Sequence, residues 1–245
     1  MSWRASGARR RAFRALVKVR VEAERRVGLS VGAKRRLARL RAGKLSWVAS
    51  VYGSDKGVTA HRYVDLYEDL LAPYRRTYTR VLEIGIYKGA SLLMWRDFFP
   101  NAEVFGLDIE TVEVPGPRIT TLHGDQSDPD VLARLRSLGP FDLIVDDGSH
   151  KAEHILASFA GLFDSVKPGG FYVIEDMQTA YIAKGYNGGP PGHPETAASL
   201  TKHLVDAVNR DEIAGEYPDA VSHLPLVAAL HVHPRVAFIQ RGGAS

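Results

Sequence analysis

Between Arg80 and Asp176 the chain alternates short, unbroken apolar runs with longer stretches of helical period. VLEIGI (81–86) has the length and hydrophobicity of a strand buried on both faces, and AEVFGLDI (102–109), RITTLHGD (118–125), FDLIVD (141–146) and FYVIED (171–176) read as the second to fifth strands. Helical spacing separates them over Ser91 to Phe98, Asp128 to Leu138 and Lys151 to Val166. Asp128 is a capping residue with Pro129 at the first helical position, and Lys167-Pro168-Gly169-Gly170 is expected to stop the third helix. Strand and helix in alternation predict a doubly wound sheet with right-handed crossovers. Beyond a Gly- and Pro-rich loop at 185–194, the spacing predicts a helix over roughly 196–213. PLVAALHVH (225–233) and VAFIQR (236–241) then read as an antiparallel hairpin. The expected fold is α/β: a Rossmann-like, mostly parallel seven-stranded sheet ending in an antiparallel hairpin.

Upstream, residues 8–42 read as one or two helices broken near Gly28 to Gly32, and His61 to Leu71 resumes helical spacing until Pro73 closes it. Charge divides the chain at the same place. Residues 1–44 hold 15 of the 32 Lys and Arg against Glu22 and Glu24, a net +13, so the remainder of the +4 chain is −9. The expected domains are a basic helical arm, 1–44, and a Rossmann-like domain, 45–245. Such an arm can meet nucleic acid, anionic lipid or an acidic protein surface. Docking within a homodimer or larger homo-oligomer is the favoured reading, and no nucleic-acid partner is expected, since an acidic main domain repels a phosphate backbone. The longest apolar run of the arm is Ala15-Leu16-Val17, so neither a signal peptide nor a spanning helix is expected, which points to the cytoplasm. The chain has no cysteine, which excludes disulfides and thiolate chemistry and leaves oxygen and imidazole as metal ligands.

Candidate chemistry gathers at the carboxyl ends of the predicted strands, where open α/β sheets bind ligands. Glu83-Ile84-Gly85-Ile86-Tyr87-Lys88-Gly89 forms a glycine turn from strand to helix, with Gly85, Lys88 and Gly89 placed for close backbone approach to a ligand. It lacks the GxGxxG of a pyrophosphate cradle. A ligand with a ribose but no phosphate fits better, because Glu83 repels an anion and attracts a cationic amino-acid tail. Asp108 stands where an acid would bind a ribose diol, and Asp125 of Gly124-Asp125-Gln126-Ser127 where one would meet an adenine amino group, with Gln126 beside it. Two acid pairs, Asp146-Asp147 and Glu175-Asp176, end neighbouring strands near His150. Carboxylate oxygens with waters suit a hard divalent ion such as Mg²⁺.

This order of motifs resembles the class I S-adenosylmethionine-dependent methyltransferases. More narrowly, DDGSHKAEH followed by PGGFYVIEDMQTAY, and preceded by YGSDKG and LEIGIYKGASL, is similar to the metal-dependent sugar O-methyltransferases of macrolide sugars and of rhamnosyl or mannosyl units, over roughly residues 45–181. The resemblance implies S-adenosyl-L-methionine and Mg²⁺ as cofactors, a sugar or glycoside hydroxyl as acceptor, Asp147, Glu175 and Asp176 as metal ligands, and His150 as general base acting with Asp147. It places Ser54, in the YGSDKG segment, over the cofactor. Asp146 belongs either to the cofactor side or to the support of the metal cluster. Two other readings stay open: an iron-dependent hydroxylase using His150 and two carboxylates, and an RNA-binding protein on a methyltransferase fold.

Overall fold

The computed structural model describes residues 29–57, 63–217, 219 and 224–243, so the predicted helical arm before residue 29 lies outside the described residues. The chain divides into two compact units, one drawn from Met1–Tyr78, Lys88–Ala102 and Val114–Ile119, the other from Thr79–Tyr87, Glu103–Glu113 and Thr120–Ser245.

The first unit is helical among its described residues: α1 (Val31–Arg39), α2 (Leu45–Tyr52), α3 (Val64–Leu71) and α4 (Ala90–Phe98). Ser30 starts α1 by accepting the Ala33 amide, and Gly53, at φ 72°, ends α2 in the left-handed conformation. Aromatic contacts fill the interior, Tyr67 packing edge-on to Trp95 at 5.1 Å. One ion pair is buried with them: Arg96 Nε donates to Asp97 Oδ1 at 2.8 Å, and the Tyr52 hydroxyl donates to Asp97 Oδ2 at 2.6 Å. Burial and that carboxylate raise the Tyr52 pKa, so its proton stays on the phenol.

The second unit is built on β1 (Arg80–Ile84), β2 (Glu103–Asp108), β3 (Ile119–His123), β4 (Phe141–Asp146), β5 (Val166–Ile174), β6 (Val227–His233) and β7 (Val236–Arg241). Their order in the sheet is β3-β2-β1-β4-β5-β7-β6. β1 lies parallel to β2 and β4, β4 parallel to β5, and β7 antiparallel to β5 and β6, which is the expected fold class. Within this unit, α5 (Pro129–Leu138), α6 (Ala152–Leu162) and α7 (Ala197–Val208) place Leu135, Phe159, Leu162 and Leu204 in one core with Leu82, Ile144, Tyr172 and Ile239 of the strands. Asp128 caps α5 through the Asp130 amide with Pro129 at its start, as the sequence requires.

Two boundaries differ from expectation. β5 begins at Val166 and runs through Lys167-Pro168-Gly169-Gly170, because a register shift between Phe141 and Leu143 on β4 accommodates the proline outside the regular ladder. The helix expected over 196–213 breaks at Asn209, whose side chain donates to the Val205 carbonyl and ends α7 before α8 (Arg210–Glu216) begins. The final hairpin turns on Pro234-Arg235, with Arg235 at φ 72° and His233 paired to Val236.

The sheet reverses its winding between β1 and β4. Register aligns Ile84 with Asp146 and Asp146 with Ile174, so the loops leaving β1, β4 and β5 share one edge at that switch point.

Candidate active site at the carboxyl edge of the sheet

A cavity of about 320 Å³ opens at this edge, lined by Gly85, Asp108, Asp125, Gln126, Gly148 and Ser149 among others. Asp108 is pinned beneath the glycine turn: Oδ2 accepts the amides of Ile86 at 2.7 Å and Tyr87 at 3.0 Å, and Oδ1 accepts that of Glu110 at 3.0 Å. With two backbone donors on Oδ2 and one on Oδ1, about one of its four lone-pair sites, on Oδ1, is left for a ligand hydroxyl. Gly85 has no substitute here, since it sits at φ 94° and a Cβ would collide with the carbonyl of Asp147. Asp125 is held by the amide and hydroxyl of Ser127, at 2.8 and 2.7 Å, and these bonds lower its carboxyl pKa. His154 Nδ1 lies 3.0 Å from the Ser149 hydroxyl and 3.9 Å from Asp125 Oδ1, on the same wall.

Glu83 is fully buried on β1 and is not part of the cavity lining. Ser54, Lys88 and Gly89 belong to the helical unit, where Gly89, at φ 76°, caps α4.

A second group of side chains lies outside that lining. Asp147, His150 and Asp176 bring one ligand atom each within 4.8 Å of one another, all half-buried. His150 Nε2 lies 3.5 Å from Asp176 Oδ2 and 3.9 Å from Asp147 Oδ1. Both His150 and Asp176 adopt the left-handed conformation, at φ 57° and 52°. Such backbone is uncommon outside glycine, although Asp and His adopt it more readily than most residues, and it concentrates at functional sites. Asp176 is held by its neighbours: its carbonyl accepts the Thr179 amide and hydroxyl at 2.9 and 2.8 Å, and Gln178 Nε2 donates to its Oδ1 at 3.1 Å. The following amide, of Met177, donates to the carbonyl of Arg235 at the tip of the β6–β7 hairpin. Glu175, 2% exposed, is not among the three converging groups. The two carboxylates, with water, fit a hard ion such as Mg²⁺, whereas the imidazole as a ligand would favour a borderline ion such as Fe²⁺ or Zn²⁺.

Asp146 proves to be part of the interior. It is 2% exposed and accepts from Gln126 Nε2 at 3.1 Å and the Tyr172 hydroxyl at 3.1 Å. Burial pushes its carboxyl up to about 7 against the pull of those donors and of the Gly148 amide. The folded value exceeds the ordinary 3.8, so the folded protein holds this proton more tightly and the group's contribution to stability falls as pH rises from about 4 to about 7. Asp146→Asn removes the titration. Between pH 5 and pH 8, urea unfolding with chelator present should move in favour of the variant by roughly 2 kcal/mol relative to wild type. Parallel pH dependences in the two proteins would contradict this account.

The loop after β5 is also tethered. Asn187 Nδ2 donates to Glu153 Oε1 at 2.8 Å, joining the glycine-rich segment to the first turn of α6. The sequence offered no signal for this bond, nor for the contacts of Tyr172 and Arg235, since an aromatic in a strand reads as core and a hairpin tip as solvent.

Fold and site together define a Rossmann-like methyltransferase domain, and residues 82–177 match the family model described as "Methyltransferase domain". The chain is similar to sugar O-methyltransferases of macrolide and tetracenomycin pathways. It is 40% identical over 214 residues to mycinamicin VI 2''-O-methyltransferase of Micromonospora griseorubida, covering 82% of this chain and 53% of that protein. It is 39% identical over 219 residues to the 8-demethyl-8-(2-methoxy-alpha-L-rhamnosyl)-tetracenomycin-C 3'-O-methyltransferase of Streptomyces olivaceus, covering 84% and 56%. The solved structure of MycE methyltransferase from the mycinamycin biosynthetic pathway, in complex with Mg, SAH and mycinamycin VI, superposes with a TM-score of 0.75 at 40% identity, over 81% of this chain and 53% of that one. The chain thus spans about half the length of the relatives it matches. No helix among the described residues is long and apolar enough to cross a membrane.

Proposed function

We propose that this protein transfers a methyl group from S-adenosyl-L-methionine to a sugar hydroxyl, assisted by a divalent cation such as Mg²⁺. One observation carries the reading: a single four-residue loop, Asp147 to His150, serves both halves of the site. Its middle residues, Gly148 and Ser149, line the cavity, while Asp147 and His150 on either side of them converge with Asp176. A ligand in the cavity and a cation at the cluster would therefore be registered by the same short backbone.

The cofactor supplies an electrophilic methyl, and the cation supplies Lewis acidity toward the acceptor hydroxyl. The chain's own residues supply position and proton transfer. Asp108 receives the ribose diol, Asp125 the adenine amino group, and the glycine turn at Gly85 keeps the backbone close to both. Asp147 and Asp176 would hold the cation. His150, with Nε2 turned to both carboxylates, takes the hydroxyl proton, a task an imidazole can perform at neutral pH. The substrate class follows the relatives named above, so the acceptor is a rhamnoside or a macrolide-borne sugar, with mannosides added by the sequence resemblance alone.

The decisive assay uses labelled S-adenosylmethionine with a panel of rhamnosides, mannosides and glycosylated macrolides, with and without Mg²⁺. Label transfer should depend on an acceptor, stop with chelator and resume with Mg²⁺. A second reading keeps its place because one imidazole and two carboxylates also form the facial triad of iron(II) oxygenases. Product mass separates the two, since methylation adds CH₂ and hydroxylation adds an oxygen atom and requires O₂.

A further inference from the structure

Gln126 follows Asp125 at the end of β3 and lines the cavity, so sequence and position both suggest a cofactor contact. Its bonds point elsewhere. The side chain is 6% exposed and its carboxamide has protein partners at both its nitrogen and its oxygen. Both amide hydrogens are used, Nε2 donating to Asp146 Oδ1 at 3.1 Å and to Ser158 Oγ at 2.9 Å. Oε1 accepts the Ser149 amide at 2.8 Å. The backbone donor at Ser149 fixes which end of the carboxamide is oxygen, because the opposite orientation would set NH₂ against N–H.

The two ends of this grip fall on either side of Asp147. Asp146 precedes it and Ser149 follows two residues later, and the glycine between them, Gly148, has no room for a Cβ, which would collide with Gln126 Oε1. Beyond Ser149 comes His150 in its left-handed conformation. Ser158, fully buried on α6, and Tyr172, fully buried on β5, complete the frame by bonding to Gln126 and Asp146. A loop carrying one cluster carboxylate and the imidazole is thereby held by a neutral side chain from another strand, touching neither the reacting groups nor the cluster.

We infer that Gln126 is a positioning residue: its carboxamide clamps Asp146 and Ser149 and so sets the Asp147–His150 loop, and it makes no hydrogen bond to the cofactor. The inference rests on the proposed function only where it speaks of the cation. Supports of metal ligands characteristically change metal affinity or activity 10- to 100-fold when removed.

The test uses the full chain and three measurements: amide exchange of the 147–151 segment, Mn²⁺ binding by EPR, and SAH binding by calorimetry. In Gln126→Leu, exchange at 147–151 should accelerate at least about tenfold, and Mn²⁺ affinity should fall about tenfold. SAH affinity should change less than about threefold, as expected when no bond to the ligand is lost. Ser158→Ala, which frees one hydrogen of the carboxamide, should move exchange and Mn²⁺ binding in the same direction by a smaller factor, and it serves if the leucine variant does not fold. An SAH affinity weakened tenfold or more with unchanged exchange at 147–151 overturns the inference and makes Gln126 a cofactor contact. If wild type binds no Mn²⁺, the cation reading fails, and exchange and SAH binding still decide the role of Gln126.

Discussion

Asp147→Ala should reduce methyl transfer roughly a thousandfold and remove measurable Mn²⁺ binding while leaving the protein folded. The size follows from the several kcal/mol of charge stabilisation that a catalytic cation supplies, at about 1.4 kcal/mol per factor of ten. The side chain is half-buried at the sheet edge and outside the hydrophobic core, so its loss opens no internal cavity. Its backbone amide keeps the bond to the Ile84 carbonyl in the variant, preserving the path of the loop. Thermal unfolding, Mn²⁺ titration and turnover with labelled cofactor check the three parts separately. A folded variant retaining more than about a tenth of wild-type turnover would remove Asp147 from the cation site.

His150→Asn should lower kcat roughly 10²- to 10⁴-fold, the range that a positioned general base contributes. Asparagine is the informative replacement because residue 150 sits at φ 57°, a conformation asparagine tolerates better than alanine. The loss then reports the imidazole and not a refolded loop. The same variant separates the two roles open to a histidine standing 3.5 Å from Asp176 and 3.9 Å from Asp147. As the base, its removal lowers kcat and leaves Mn²⁺ affinity nearly unchanged. As a ligand, it takes the affinity with it, and the general-base assignment falls.

β1, β4 and most of β2 and β5 were legible because parallel strands buried on both faces must be largely apolar, whereas β3, half exposed at the sheet edge, was legible only from its place in the alternation. Asp108 was legible for a related reason: an acid ending such a strand stands at the edge where ligands bind, and the structure places it there, under the turn at Gly85. The roles of Gln126 and Asp146 were not. Their side chains are aimed by partners 20 to 32 residues away, and nothing in local spacing encodes such aim. The pair Glu175-Asp176 shows the limit sharply. In an extended strand, neighbours point to opposite faces. The left-handed turn at Asp176 changes the direction of the chain at that residue, so which of the two acids joins His150 depends on a backbone angle that composition does not reveal. The proline within β5 misled for a similar reason, since its tolerance depends on a register shift in the strand beside it.

The bond from the Met177 amide to the Arg235 carbonyl also sets an order of events on the ribosome. Residues 141–176 emerge and can pair as β4 and β5 well before the 236–241 segment is made, and until β7 arrives β5 is an exposed edge. Only the closing hairpin both covers that edge and seats the turn that carries Asp176. A nascent chain stalled before residue 235 would thus hold the glycine turn and Asp108 in sequence yet lack the anchor for its second cluster carboxylate. The Asp147–His150–Asp176 cluster would be complete only once β7 is made, after the strands that line the cavity are in place.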